Sequence, residues 1–185
     1  MRIIAGTLKG RQLKAPTWDG LRPTSDRLRE TLFDILAPRI AGARVLDGYA
    51  GTGAVGIEAI SRGASHVTFV ERDPRAVRLI RENLARAGVP ERYAIIRAGF
   101  VDAAHSAASP RADPFDVVFL DPPYGDEEMR AALAEAAPLV GGATLLVLEH
   151  ARRHPAPDAA AGLVKRRDVA SGDSALAFYE RSPHG

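Results

Sequence analysis

The sequence contains no cysteine and no long hydrophobic run. The absence of cysteine excludes a disulfide framework, a thiolate metal site and a cysteine nucleophile. No uninterrupted apolar stretch approaches the roughly 18 residues needed to span a bilayer, and the opening MRIIAG breaks before a signal-peptide core could form. The five histidines are scattered without the spacing of metal ligands. We therefore expect a cytoplasmic protein with no membrane span and no metal.

The chain is long enough to fold without such supports. It has 185 residues, of which 46% are hydrophobic. At this length, surface scaling predicts that about 70% of the unfolded chain's surface is buried on folding. These values suit one compact domain with a small appendage. We predict an N-terminal extension over residues 1–23 and a main domain over residues 24–185.

Positive charge is concentrated near the N-terminus. Residues 1–44 carry nine basic and four acidic side chains, whereas residues 45–185 carry sixteen and nineteen. The first segment, with a net charge of +5, could meet a polyanion. An ordinary solvated edge whose charges deter aggregation is the alternative interpretation. The candidates for phosphate contact are Arg2, Lys9, Arg11, Lys14 and Arg22.

The apolar pattern after residue 44 predicts an α/β fold. Strands are predicted at 44–47, 67–71, 94–97, 116–120 and 144–149. Helices are predicted between them at 54–62, 74–87, 101–108 and 127–137. This alternation is typical of a mostly parallel sheet with helices on both faces.

The two ends of the chain follow a different pattern. Glycines between residues 2–5 and 11–15 predict a basic β-hairpin, and an apolar stripe predicts a helix over 25–37 that Pro38 ends. Near the C-terminus, two extended runs at 163–169 and 175–181 predict an antiparallel hairpin that closes the sheet. The Pro- and Ala-rich stretch before that hairpin, at 152–162, is predicted to be a loop.

A glycine-rich loop after the first strand predicts a nucleoside site. Residues 45–56 read VLDGYAGTGAVG, and glycines at such a strand-to-helix turn let a ligand approach the helix N-terminus. Glu71 follows Gly51 by twenty positions, where an acid would bind a ribose diol. The glycine spacing alone also matches an NAD-dependent oxidoreductase.

Asp47 favours a different cofactor. A carboxylate at the end of the first strand would repel a pyrophosphate but attract a cationic amino-acid group. S-adenosylmethionine carries a ribose diol and an ammonium but no phosphate. The alternative is that Asp47 only caps the loop by accepting backbone amides.

The second motif, FDVVFLDPPYG at 115–125, ends an apolar strand with an acid, two prolines and an aromatic ring. The Asp121 carboxylate and the Pro122 carbonyl could hold the two hydrogens of a ring amino group, and Tyr124 could stack on its base. A strand that ends in a simple proline turn, with the tyrosine covering the core, is the alternative.

These motifs resemble those of amino-group methyltransferases, and more narrowly the RsmD family of bacterial 16S ribosomal RNA guanine-N2 methyltransferases. The narrower resemblance rests on RIIAG at 2–6, RPT at 22–24, DRLRETLF at 26–33, ISRGA at 60–64 and AFY at 177–179. It implies a Rossmann-like, seven-stranded class I methyltransferase fold, S-adenosylmethionine as cofactor, catalysis by Asp121, Pro122 and Tyr124, and RNA contact through the hairpin. The residues expected to bind the cofactor are Asp47, Tyr49, Ala50, Gly51, Gly53, Glu71, Arg72, Gly99, Phe100 and Asp121.

The chain departs from the family's pattern at two places. Gly48-Tyr49 replaces the usual apolar pair, which predicts a looser loop, and Gly99-Phe100 replaces the acid or amide that often contacts adenine. Trp18 could stack on a base, but a single loop tryptophan more often covers a hydrophobic edge, and we expect that role here. Glu149 could line the cleft, but we interpret it as the exposed last residue of its strand.

The expected reaction is methylation of a guanine N2 amine in 16S ribosomal RNA, within a small-subunit particle. The alternatives are an amino group of DNA adenine or cytosine, a protein glutamine, and a non-catalytic RNA-binding module.

Overall fold

A computed structural model describes residues 1–21, 24–108, 114–123 and 125–182. Predicted site residues Arg22 and Tyr124 lie outside these ranges. The helices are α1 (Asp26–Ile40), α2 (Ala54–Ser61), α3 (Pro74–Arg86), α4 (Phe100–Ala107) and α5 (Asp126–Ala136), with a 3-10 turn at Ala137–Leu139. The strands are β1 (Arg44–Asp47), β2 (His66–Val70), β3 (Tyr93–Ile96), β4 (Val117–Leu120), β5 (Leu145–Ala151), β6 (Ala159–Ala160), β7 (Leu163–Ser171) and β8 (Ser174–Arg181).

All strands join one sheet in the order β3-β2-β1-β4-β5-β8-β7-β6. The first five are parallel, and β8, β7 and β6 are antiparallel. The predicted α/β class and the C-terminal antiparallel hairpin are therefore confirmed. β1 lies in the middle, and its last residue, Asp47, is in register with Phe69 on β2 and Phe119 on β4. The sheet order thus brings the residues that follow β1, β2 and β4 to one edge.

The structure departs from the predicted elements in the loop 152–162 and at the end of α1. The sheet described here has an eighth strand, because Ala159 and Ala160 pair with β7 across a turn at Gly162 (φ 78°) inside the predicted loop 152–162. Helix α1 continues past Pro38 to Ile40. A proline in the last turn removes only one helical hydrogen bond, and the extra turn buries Ile40.

Apolar side chains cover both faces of the sheet. On one face, α1 and α2 contribute buried Leu32, Phe33 and Ile57 to a cluster that also contains Ile3 and Leu13 of the N-terminal segment. On the other face, α4 and α5 pack a second cluster over β4 and β5. None of the helices described is long and apolar enough to cross a membrane.

The N-terminal segment pairs with itself only briefly. Arg2 and Gln12 form an isolated antiparallel bridge in place of the two predicted strands. The backbone N–H groups of Ile4 and Ala5 donate instead to the buried Glu58 carboxylate, at 2.8 and 2.9 Å. This segment shares the main core, and its separation as an extension over 1–23 stays a prediction.

We expect Gly56→Ala to lower the free energy of unfolding by roughly 1 to 3 kcal/mol, since overpacking a core costs about this much. A Cβ at Gly56 would lie 2.2 Å from Cε1 of the buried Phe69 ring. Urea unfolding measures the change. Gly142→Ala is the control, because its Cβ would meet nothing within 4 Å. Equal destabilisation in both variants would contradict this packing.

Candidate active site

Three adjoining cavities lie at the carboxyl edge of the parallel strands, the usual position of ligands in open α/β sheets. The ring cavity, of about 290 Å³, lies against Phe100. The wide cavity, of about 470 Å³, lies between Trp18 and Pro122, and the small cavity, of about 30 Å³, lies against Asp47. All three share Tyr49. Nine residues predicted to bind the cofactor line them: Asp47, Tyr49, Ala50, Gly51, Glu71, Arg72, Gly99, Phe100 and Asp121.

The glycine loop is fixed by the strands on both sides of β1. The Gly48 N–H donates to the Phe119 carbonyl at 2.9 Å, and the Ala50 N–H donates to the Val70 carbonyl at 3.0 Å. Gly53 forms the N-terminal cap of α2 and lies behind the cavity walls. The loop thus presents its backbone to the cavities from a rigid frame.

The glycine at the departure Gly48 is closely packed, so the structure gives no support to the predicted looser loop. A Cβ at Gly48 would lie 2.6 Å from Leu120 Cδ2 and 2.8 Å from Phe100 Cε2. The glycine therefore lets Phe100 pack directly under the loop. Its ring lies 5.2 Å from the Tyr49 ring, tilted by 34°, and together they wall the ring cavity.

Asp47 accepts a backbone hydrogen bond from α2 and also lines the small cavity. It is 1% exposed, and its Oδ2 accepts the Gly56 N–H at 3.1 Å. Its Oδ1 is buried and has no hydrogen-bond partner within the described ranges. Burial, and secondarily the Glu71 charge, raise the pKa of Asp47 to about 7. An unpartnered buried carboxylate oxygen is costly, and a cationic ligand would stabilise it.

Glu71 is held rigidly between the ring cavity and the wide cavity. Its Oε2 accepts the Gly51 N–H at 2.9 Å, and its Oε1 accepts the Asp73 N–H at 2.8 Å. Each carboxylate oxygen can accept a second hydrogen bond. Glu71 is therefore oriented to accept from a ligand's hydroxyl groups.

Asp121 lies where the wide and small cavities meet. Burial, then the charges of Glu149 and Asp47, raise its pKa well above the ordinary value. Pro122 lines the ring and wide cavities beside it. Tyr124, the third predicted catalytic residue, lies outside the described residues.

The interpretation of Glu149 as an exposed strand end was wrong. Strand β5 continues to Ala151, and Glu149 is 5% exposed with Oε2 accepting the Thr24 hydroxyl at 3.1 Å. The signal was present in the sequence, since a carboxylate after LLVL reaches the same sheet edge as Asp121. Three acids therefore converge at this edge, and their mutual repulsion favours a cation there.

Residues 18–21 and Thr24 form the outer wall of the site. Trp18 and Leu21 line the wide cavity, and the Arg75 guanidinium carbon lies 5.2 Å from the centre of the Trp18 ring. Thr24 lines the small cavity opposite Asp47. The sequence favoured a covering role for Trp18 over stacking on a base, and it did not indicate Arg75.

The predicted RNA-contact residues divide into two groups. Arg2 and Lys9 are exposed near the start of the chain. Arg11 and Lys14 are exposed too, but they also bind α3: Arg11 donates to the Ala87 carbonyl, and the Lys14 ammonium pairs with Glu82 at 2.8 Å. These two side chains therefore also help to hold the N-terminal segment against α3.

Comparison with known proteins identifies the family of this chain. The family model described as Conserved hypothetical protein 95 matches residues 1–180. The chain is 35% identical over 191 residues to Ribosomal RNA small subunit methyltransferase D of Escherichia coli, covering 100% of this chain and 92% of that protein. The chain belongs to the RsmD family. The predicted family is thus confirmed.

Solved structures resemble this RsmD-family chain over almost its whole length. A structure from Escherichia coli, 33% identical, superimposes with a TM-score of 0.82 over 98% of each chain. An O-methyltransferase of Bacillus cereus in complex with SAH, only 14% identical, has a TM-score of 0.69 over 86% of this chain and 83% of its own. The second likeness shows the fold alone, and the predicted class I methyltransferase fold is confirmed.

We expect the Asp47→Asn variant to become progressively more stable relative to the wild type, in free energy of unfolding, as the pH rises from 5 to 8. Because the folded-state pKa of Asp47 is raised from 3.8 to about 7, the folded protein binds this proton more tightly, and wild-type stability falls with rising pH in that window. Asparagine does not titrate. Chemical unfolding at several pH values measures the difference.

Asp34→Asn is the matched control, because that side chain is 71% exposed. A difference for Asp47→Asn that stays constant with pH would contradict the raised pKa.

Proposed function

We propose that this RsmD-family protein transfers the methyl group of S-adenosylmethionine to the exocyclic N2 amine of a guanine in 16S ribosomal RNA. The observation that carries the proposal is the buried, unpartnered Oδ1 of Asp47 beside the Asp121-Pro122-Pro123 edge, in a chain of this family. The full-length relative in Escherichia coli supports the ribosomal substrate by its name. As an rRNA-modifying enzyme, the protein would act in the cytoplasm on a small-subunit particle.

The residues lining the cavities fit the cofactor. Asp47 Oδ1 supplies an acceptor for the ammonium, the fixed Glu71 carboxylate suits the ribose diol, and the aromatic walls of the ring cavity suit adenine. Gly99 and Phe100 line that cavity, so stacking and backbone groups would serve adenine in place of an acid. When bound, this cofactor supplies an activated methyl group.

Asp121 and Pro122 would hold the acceptor amine. An amine attached to an aromatic ring delocalises its lone pair, so two acceptors for its hydrogens are needed to orient it. The Asp121 carboxylate and the Pro122 carbonyl take this role, and the wide cavity provides room for the unpaired base. Since the pKa of Asp121 is raised, its carboxylate is a stronger base than an ordinary aspartate and suits the proton that the amine loses.

The geometry weighs against the NAD-dependent alternative. A dinucleotide would place its pyrophosphate at the glycine loop, where the buried Asp47 and the nearby Asp121 and Glu149 carry or can acquire negative charge. A phosphate close to these carboxylates in a buried site would be strongly repelled.

A labelled-methyl transfer assay tests the proposal. Small-subunit particles without the modification, protein-free 16S RNA, duplex DNA and a glutamine-containing protein are each incubated with the enzyme, followed by nucleoside or amino-acid analysis. We expect label as N2-methylguanosine. Label in another base or in glutamine would overturn the acceptor, and no label in any substrate would favour the non-catalytic RNA-binding module.

In the same assay, we expect Asp121→Ala to reduce transfer by at least about 100-fold, in the range of positioned acid–base groups. Cofactor affinity should change only a few-fold, because the ammonium and diol contacts remain. Calorimetric titration with S-adenosylhomocysteine measures that affinity. Full transfer by the variant would refute the role of Asp121.

A further inference from the structure

One face of helix α3 carries a row of exposed arginines. The buried positions of α3 fall on one side, and Arg75, Arg78 and Arg86 are exposed together on the opposite side, at spacings of three and eight residues. At 1.5 Å per residue, the row is about 16 Å long. It begins at the wide cavity, which Arg75 lines.

The N-terminal segment runs antiparallel along this helix. Arg11 binds the Ala87 carbonyl just past the end of α3, and the Lys14 N–H donates to Asn83 Oδ1 at 2.7 Å. Further along, Trp18 meets Arg75 at the beginning of α3. Residues 11–18 and α3 therefore form one continuous surface, which we call the basic ridge.

The acidic groups on the basic ridge are already neutralised. Glu82 pairs with Lys14 at 2.8 Å, and Asp73 pairs with Arg75 at 2.8 Å. Arg78 and Arg86 form no hydrogen bond or ion pair within the described ranges, although their charges, after that of Lys14, also act on Glu82. A solvated helix face usually mixes both signs, whereas this one keeps an excess of positive charge beside the cavity that would admit the acceptor base.

We propose that the basic ridge binds the sugar–phosphate backbone of the substrate RNA and leads the target nucleotide into the wide cavity, with Arg78 and Arg86 contacting phosphates. The inference rests on the proposed function. It shifts the main RNA contact from the predicted hairpin to α3, because the Arg11 and Lys14 side chains are partly engaged by contacts with α3. Contacts of this kind give affinity without reading sequence.

The test compares Arg78→Gln/Arg86→Gln with the wild type in binding to transcribed 16S RNA over a range of salt concentrations. Removing two phosphate contacts should weaken binding roughly ten-fold or more at about 0.1 M salt and reduce the slope of log K against log salt by about 1.4 to 1.8. Affinity for S-adenosylhomocysteine should not change. Arg78→Lys/Arg86→Lys keeps both charges and should restore most of the binding.

The matched control is Arg39→Gln/Arg167→Gln. These two arginines are exposed on α1 and on β7, away from α3, and removing them lowers the net charge by the same amount. Their loss should leave the salt slope within error of the wild type.

Two failures are distinguishable. If the wild-type protein methylates RNA but Arg78→Gln/Arg86→Gln keeps its affinity and salt slope, or if the control pair has an equal effect, the basic ridge is not the binding surface. If the wild type neither binds nor methylates RNA, the proposed function itself fails.

Discussion

The site depends on negative charge buried at the carboxyl edge of the sheet. Asp47 ends β1, Asp121 follows β4, and Glu149 lies level with Asp121 on the adjacent β5, so the sheet order and register bring the three carboxylates together. Burial destabilises the charged forms of these carboxyls in the free protein, and the pKa values of Asp47 and Asp121 are therefore raised. A cationic ligand relieves it. The arrangement of acids that lowers the stability of the free protein therefore favours S-adenosylmethionine over a cofactor that carries phosphate.

Two further buried contacts attach the N-terminal segment so that it completes this site. The Glu58 carboxylate, fully buried on α2, accepts the N–H groups of Ile4 and Ala5. Thr24 donates to Glu149 at the other end of the segment. Between them, the chain passes along α3 and supplies one wall of the wide cavity. The basic ridge and the cavities at the sheet edge are thus parts of one packed unit.

The sequence predicted the features that depend on local pattern. The parallel strands and the glycine loop occur where the sequence predicted them, because hydrophobic periodicity and turn residues determine their positions. Nine of the ten candidate cofactor-binding residues line cavities at the predicted edge of the sheet. Features set by distant contacts were missed. Glu149 is buried and accepts a hydrogen bond from Thr24, 125 positions earlier, and the short β6 pairs with β7. The close packing of Phe100 under Gly48 likewise joins segments that the sequence separates.

The most direct test of this account is the number of protons released when S-adenosylhomocysteine binds at pH 6.5, from calorimetry in buffers of different ionisation enthalpy. Its ammonium should pair with Asp47 and lower the raised pKa of that carboxyl, so the account predicts net proton release. The release should be lost in Asp47→Asn. Binding without proton release, or release that Asp47→Asn leaves unchanged, would contradict the account.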